Sequence, residues 1–479
     1  MKLNLPLALA FLICLLLTLV ASGIPLFWDS VYYALPVLKG GKEFTPFHIP
    51  ESLDTGGFPF YAAWLSLFFR LCGTGLLSVH LALLPFLLGS VFAFYRIGRR
   101  FLNNTMLSVA LLLLFLEPCF ITQSILAAPD LMLLAFFLLA LMALLENKRL
   151  LFSIFLILLV FCNMRGLPAA ASLLIMDFLF ASPSERWNKN KVFAWLPVFV
   201  FSAVWFLYHH AVTGWYFFSP WREKTDEHGV SITIMLKHVM LVLWKLADSG
   251  RIILWLFLAA AIVYFRKAGS KDPVFYRLLR LLLPPLFFFS LLLIPLSNPI
   301  GARYFMPVFA LLILPVCYLI QQWKTTYQRI SVLLIAIVLV SGNFWIYPER
   351  LSNEWDTSLK VLPFFSLEQQ MREYIYTHSL RDKQLSPYNI GTQFPLIYSP
   401  AETYLSPGST PDIIAYFDFN CHYTNALDGP VSKFHYYLHS NVCNTDLLPQ
   451  IEEIKTKWKL VKEFREGEVY LVLYENTGL

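Results

Sequence analysis

Phe27-Trp28-Asp29-Ser30-Val31-Tyr32-Tyr33-Ala34 follows an apolar run that extends almost unbroken from Leu3 to Val20. That run is long enough to cross a hydrocarbon core of roughly 30 Å as a helix. It exceeds the roughly 7–15-residue apolar core of a cleaved leader, although Lys2 precedes it and Ala21-Ser22-Gly23 follow it. We read it as a retained helix. Asp29 then stands at the membrane edge among aromatic residues, where a charge is costly unless it has a partner or a task.

The rest of the chain bears out the membrane setting. Of 479 residues, 57% are hydrophobic and 14% charged, against about 25% charged in an ordinary soluble domain. Eleven apolar segments are candidate spans, near 3–22, 76–95, 106–125, 130–146, 149–164, 166–181, 192–211, 251–265, 278–296, 303–321 and 329–347. The expected fold class is a multi-spanning α-helical membrane protein of about 11 transmembrane helices, with a small C-terminal extracytoplasmic α/β domain. Residues 1–347 form the transmembrane domain, with a first external loop at 23–75, and residues 348–479 form the second domain.

Alternate loops are basic: Arg96, Arg99 and Arg100; Lys148 and Arg149; Arg186, Lys189 and Lys191; Arg266, Lys267, Lys271, Arg277 and Arg280; Lys324 and Arg329. Such loops stay in the cytoplasm. The loop with Asp29, the stretch 212–250 and the C-terminal segment are then external. The last segment carries eleven Lys+Arg against seventeen Asp+Glu, so the basic excess of the chain lies in its membrane part. That distribution reports topology and argues against a nucleic-acid partner. The external side is then the periplasm, the cell exterior or the lumen of the endoplasmic reticulum; of these settings, the expected one for this multi-pass protein is the bacterial inner membrane, with the C-terminal domain extracytoplasmic.

Within the first external loop, Phe58 to Leu71 is aromatic and apolar and reads as a helix lying in the interface. In the C-terminal segment, Ser366-Leu367-Glu368-Gln369 reads as a capping box opening a helix toward Thr377. A second helix is expected over Asp446–Trp458, a strand over Asp412–Phe419, and a hairpin over Lys459–Phe464 and Val469–Tyr474. Cys421 and Cys443 lie in this segment, where a disulfide and two unpaired buried thiols are both open. The other five cysteines sit in or beside apolar segments and read as packing residues.

No phosphate-binding glycine loop of the GxxxxGK[ST] type, no dinucleotide-binding pattern and no HExxH or CxxC spacing occurs. No cofactor is expected on these grounds; divalent-metal dependence stays open. What remains is a set of charges at the external edge: Asp29, Asp54, Arg165, Arg222, Arg251 and Arg303. Arg165 stands out because it occupies a hairpin of almost no length between two spans. Arginine there suits a phosphate held at the membrane surface. Several arginines can hold a phosphate as it leaves, and one carboxylate can take the proton of an acceptor hydroxyl.

At this point the chain resembles the C-type (GT-C) glycosyltransferase superfamily, in the branch of the protein O-mannosyltransferases and the aminoarabinose transferases. Asp29 matches the family's first acid after the opening span. Ser30 and Tyr32 stand where relatives carry a second acid and an arginine. Gly57-Phe58-Pro59-Phe60-Tyr61 loosely matches the interfacial Pro-Pro-Leu-Tyr segment. Arg165-Gly166-Leu167 matches a Lys-Gly-Pro hairpin, and Arg303-Tyr304-Phe305-Met306-Pro307 matches the Arg-Tyr-x-x-Pro start of a late span.

The resemblance implies a hexosyl or pentosyl transferase that moves a sugar from a polyprenyl-phosphate donor to an acceptor hydroxyl outside the cytoplasm. The acceptor is a lipid, a glycan or a protein. Asp29 is the expected catalytic base, with Asp54 in reserve. Arg165, Arg303, Arg222, Arg251 and Tyr304 are the expected phosphate-binding residues, and Trp28, Tyr32 and Tyr33 the sugar and acceptor loop. The competing reading is a transporter or flippase of lipid-linked sugars, which calls for ionisable residues at mid-membrane and paired broken helices. Glu117 beside Pro118 is the main charge inside a span.

Overall fold

Each of the eleven apolar segments is helical in the computed structural model, which describes residues 5–25, 27, 58, 60–73, 76–181, 186, 189–216, 229–267, 272–296, 301–348, 354–378, 380, 385–386, 435–442 and 449–478. A segment without water around it must satisfy its backbone internally, and the helix does so. In chain order the helices are α1 (Leu5–Ala21), α2 (Phe60–Cys72), α3 (Leu76–Gly98), α4 (Asn104–Leu116), α5 (Pro118–Ile125), α6 (Asp130–Leu145), α7 (Arg149–Cys162) and α8 (Gly166–Phe180). They continue as α9 (Lys189–Thr213), α10 (Ile232–Ala247), α11 (Ile252–Lys267), α12 (Pro273–Leu293), α13 (Met306–Gln321) and α14 (Thr325–Gly342).

Among the described residues, five helices are long and apolar enough to cross a membrane alone, and two bent pairs pass the same test together. Five more apolar helices are shorter, including α6, α7 and α8. Helix α13 is buried from Met306 to Ile320, the mark of a helix surrounded by its own protein. By contrast, α9 and α14 expose Val204, Leu207, Ile330 and Leu333, each more than half accessible. Apolar faces of that extent need lipid.

Two departures from the sequence reading share one cause, a backbone break. The segment 106–125 is not one straight span, because α4 and α5 meet at 61°. Pro118 disfavours helical backbone at Glu117, which is extended; its carboxylate then caps α5 by accepting from the Phe120 N–H at 2.7 Å. The stretch 212–250 is more than a loop, since it contains α10, bent 92° from α11. Here Gly250 has φ +79° and a Cβ would meet the Val338 carbonyl oxygen at 2.3 Å, so the turn needs glycine.

Of the 58–71 segment, the part from Phe60 is helical as α2, tied to α3 by the Trp64 indole N–H donating to the Ala82 carbonyl at 2.7 Å. Cys72, at its end, is exposed rather than packed.

Beyond the last span, α15 (Leu362–Thr377) and α16 (Pro449–Lys457) flank a four-stranded sheet of β1 (Leu385–Ser386), β2 (Tyr436–Ser440), β3 (Lys459–Glu466) and β4 (Val469–Glu475), in the order β1-β2-β4-β3. The β3–β4 hairpin is the expected one, turning at Gly467 with φ +58°. Alternation sets the two faces of β4. Leu471 and Leu473 pack with Phe364 and Met371 of α15, while Val472 and Tyr474 pack with Ile454 of α16. The proposed capping box is corrected: α15 opens at Leu362, ahead of Ser366, whose hydroxyl accepts from Gln370 within the helix at 3.2 Å. The expected strand at 412–419 lies outside the described residues, and β2 was not anticipated.

The sheet domain is seated on the helices. Phe27 lies edge-on to Phe364 and Phe365, with centroids at 6.1 and 5.8 Å, in a cluster that also holds Leu126 and Trp355. The Gln123 amide donates to the Asp356 carbonyl at 2.7 Å.

Candidate active site

Three distant segments meet at the end of the bundle where α6, α8 and α13 begin. Asp130 is the first residue of α6, behind Ala127, whose φ is +53°. Arg165 precedes α8 in the hairpin after α7. Its N–H donates to the Asn163 side chain at 3.0 Å, and a Cβ on Gly166 would sit 2.1 Å from the Leu159 carbonyl oxygen. Only glycine lets the hairpin close so tightly. Arg303 and Tyr304 lie in the 3₁₀ turn 302–305 that leads into α13.

Their side chains converge. Arg165 Nη2 is 2.7 Å from Asp130 Oδ1, and Arg303 Nε is 3.5 Å from Asp130 Oδ2. Arg303 Nη1 also reaches Asp356 Oδ2 at 2.5 Å. The Tyr304 ring lies under both guanidinium groups, 4.0 Å from Arg165 and 5.2 Å from Arg303. Two cations and two carboxylates thus share one nearly dry cluster, and Arg165 keeps more side-chain exposure than Arg303, 12% against 7%. Arginine planes stacked on tyrosine and held by carboxylates are pre-organised donors for an oxyanion.

Glu354 braces this turn from the C-terminal segment. It takes a left-handed φ of +35°, an uncommon position for a non-glycine residue. Its carboxylate accepts from the Ala302 N–H at 2.9 and 3.1 Å and pairs with Lys245 at 3.0 Å. Lys360, on the next turn, lies between the Tyr347 and Trp355 rings. Burial pushes its ammonium down to about 8, against the pull of Asp248 and Glu354. A lysine lowered in the folded state binds more protons when unfolded, so stability should rise with pH from about 8 toward the ordinary lysine value. Thermal melts across that window check this, and Lys360→Met should flatten the rise.

Arg251 has a different setting. It is fully buried, with Nε 2.6 Å from Glu117 Oε1 and Nη1 donating to the Asp248 carbonyl at 3.1 Å. This pair joins the break between α4 and α5 to the break between α10 and α11. Removing one partner of a buried pair costs about 3–5 kcal/mol because the other charge is stranded. Arg251→Met should therefore lower the thermal midpoint sharply, and Arg251→Met with Glu117→Gln should recover most of the loss. A single variant as stable as the parent would show that the pair does not hold the breaks together.

Of the residues singled out in the sequence, Arg165, Arg303 and Tyr304 are brought together, while Arg251 is taken up by Glu117. Asp29, Asp54, Trp28, Tyr32, Tyr33, Arg222, Cys421 and Cys443 lie outside the described residues. Sequence reasoning missed Asp130, Asp356, Glu354 and Lys245. Asp130 had a signal: it is a lone carboxylate opening the uninterrupted apolar run of α6.

No family model matches the chain, and no curated protein does. Solved structures do. The crystal structure of ArnT from Cupriavidus metallidurans bound to undecaprenyl phosphate superposes with a TM-score of 0.54, covering 97% of this chain and 97% of that one, at 12% identity. The chain shares the fold of that structure. ArnT from the same organism in the apo state gives a TM-score of 0.53 at 12% identity, with 97% of each chain covered. This likeness is one of fold. It leaves the chemistry to the site residues.

Proposed function

We propose that the chain is a membrane glycosyltransferase that moves a sugar from a polyprenyl-phosphate donor to an acceptor hydroxyl on the extracytoplasmic side. The observation that carries this reading is the convergence of Arg165 and Arg303 on one tyrosine and one aspartate. These segments are far apart in sequence, and a buried and a partly buried cation side by side at a helix-bundle end suit a phosphate. The solved ArnT of the same fold holds undecaprenyl phosphate.

In the reaction, the bond from the sugar's anomeric carbon to the phosphate oxygen breaks, and the phosphate leaves with the electron pair. Arg165 and Arg303 stabilise that charge, Tyr304 and Asp130 hold them in place, and a new bond forms to the acceptor oxygen. Asp29 takes the acceptor proton. Support for Asp29 comes from its neighbour Phe27, buried in one cluster with Leu126 and Trp355. Those residues lie shortly before Asp130 and Asp356 in the chain. Asp54 is the reserve base. Arg222 and the loop residues Trp28, Tyr32 and Tyr33 are assigned to donor and acceptor contacts on the resemblance alone.

The two bent helix pairs are what a flippase of lipid-linked sugars would also need. Here the breaks face each other through the buried Glu117–Arg251 pair, and Glu117 caps α5. Their ends are engaged by protein. Incubating the purified chain with a polyprenyl-phosphate sugar and a hydroxyl acceptor separates the two readings. Sugar transfer with release of polyprenyl phosphate is expected; lipid movement across a vesicle bilayer without transfer would favour the flippase.

The positive-inside pattern puts the arginine site outside. Reporter fusions at Lys189 and Gly467 should report opposite sides of the membrane. The same side for both would overturn the eleven-span topology.

A further inference from the structure

The end of the bundle away from Asp130 carries a second basic site. Helix α6 runs 16 residues from Asp130 to Leu145, about 24 Å at the helical rise. At its far end lies a cavity of about 780 Å³ lined by Arg100, Arg149, Lys191 and Arg277. Asp177 is the one carboxylate among the described lining residues. It is buried and fully engaged, 2.9 Å from Arg149 Nη1, 3.0 Å from Lys191 Nζ, and accepting from the Trp195 indole N–H at 2.9 Å. Lys191 is itself 5% exposed.

A buried carboxylate that fixes two cations toward a cavity is a built arrangement rather than a chance surface cluster. Arg100 and Arg277 stand on the rim, exposed, with no ion pair among the described residues. Four cations against one carboxylate leave an excess that an anion would neutralise. Phe101, Leu144 and Phe180 add an apolar part to an otherwise polar wall. A free phosphate would leave that part unused, whereas a phosphate carrying glycerol and acyl carbons would cover it.

We infer that this cavity binds the phosphate of an anionic lipid headgroup. Basic pockets between helices on the cytoplasmic side suit such headgroups, and the basic loops put this end in the cytoplasm. The assignment uses none of the residues of the transferase proposal and stands or falls apart from it.

The test is retention of phosphatidylglycerol by the full chain, counted by native mass spectrometry after reconstitution in phosphatidylcholine. Arg100→Gln with Arg277→Gln should weaken retention about tenfold or more at low salt, with an unchanged thermal midpoint. Arg100→Lys with Arg277→Lys should keep most of it. Unchanged retention in the glutamine pair would overturn the site. Displacement of the lipid by inorganic phosphate at equal concentration would make it a free-anion site and overturn the lipid assignment. An equal loss from Arg266→Gln with Arg329→Gln, outside the cavity, would reduce it to general surface attraction.

Discussion

Asp29→Asn should lower sugar transfer by about 10²–10⁴-fold, the usual contribution of a general base, while donor binding survives. The substitution keeps the shape of the side chain and removes its ability to accept the acceptor proton. Donor affinity should persist because the arginines proposed to hold the phosphate come from other segments, α8's entry and the turn before α13. A phosphate is already a good leaving group, so a single carboxylate suffices and no general acid is called for. The measurement is turnover of a polyprenyl-phosphate sugar beside equilibrium binding of polyprenyl phosphate. Full activity in Asp29→Asn with loss in Asp54→Asn would transfer the role to Asp54. Full activity in both would sink the mechanism.

The second large effect is expected at Arg165. Removing one pre-organised donor from a developing oxyanion costs about 10²–10³-fold in kcat. Arg165→Gln should show that loss, because its guanidinium is the more exposed of the pair and its partner Asp130 keeps Arg303. Arg165→Lys retains the charge but loses the planar stack on Tyr304, so it should fall between the two. Arg303→Gln should damage folding as well as rate, since it also removes a largely buried ion pair with Asp356. A variant Arg165→Gln with raised KM and unchanged kcat would assign this arginine to ground-state binding only. One with parental kinetics would remove it from the site.

Much of the fold was legible in one dimension because the bilayer imposes a one-dimensional rule. About twenty apolar residues make a span, and basic loops mark one side. Where the rule failed, a local backbone feature intervened. Pro118 split one span, and α10 was hidden because Lys237, His238 and Lys245 interrupt its apolar run. The helix α15 began early because a 3₁₀ turn at Leu359–Val361 feeds it directly, which no capping signal announces.

The arginine site divides the same way. Arg165 was visible because a hairpin between two spans offers no polar surroundings to excuse a cation, and Arg303 because it heads a late span. Their mutual contact through Asp130 and Tyr304 was not, since α7–α8 and α12–α13 lie far apart in the chain and only helix packing brings their ends together. Asp356 and Glu354 come from the segment after the last span, so their part depends on how the C-terminal domain docks. Arg251 looked equivalent to the other arginines in sequence. What separated them was burial: a carboxylate 2.6 Å away on another broken helix removes Arg251 from solvent. Sequence by itself determined the membrane class, the positions of the apolar helices and the charges at their ends, because hydropathy acts residue by residue. Which charges pair with each other and which stay near an opening was decided only by tertiary structure, because a charge's partner is set by distance in space and its cost by burial.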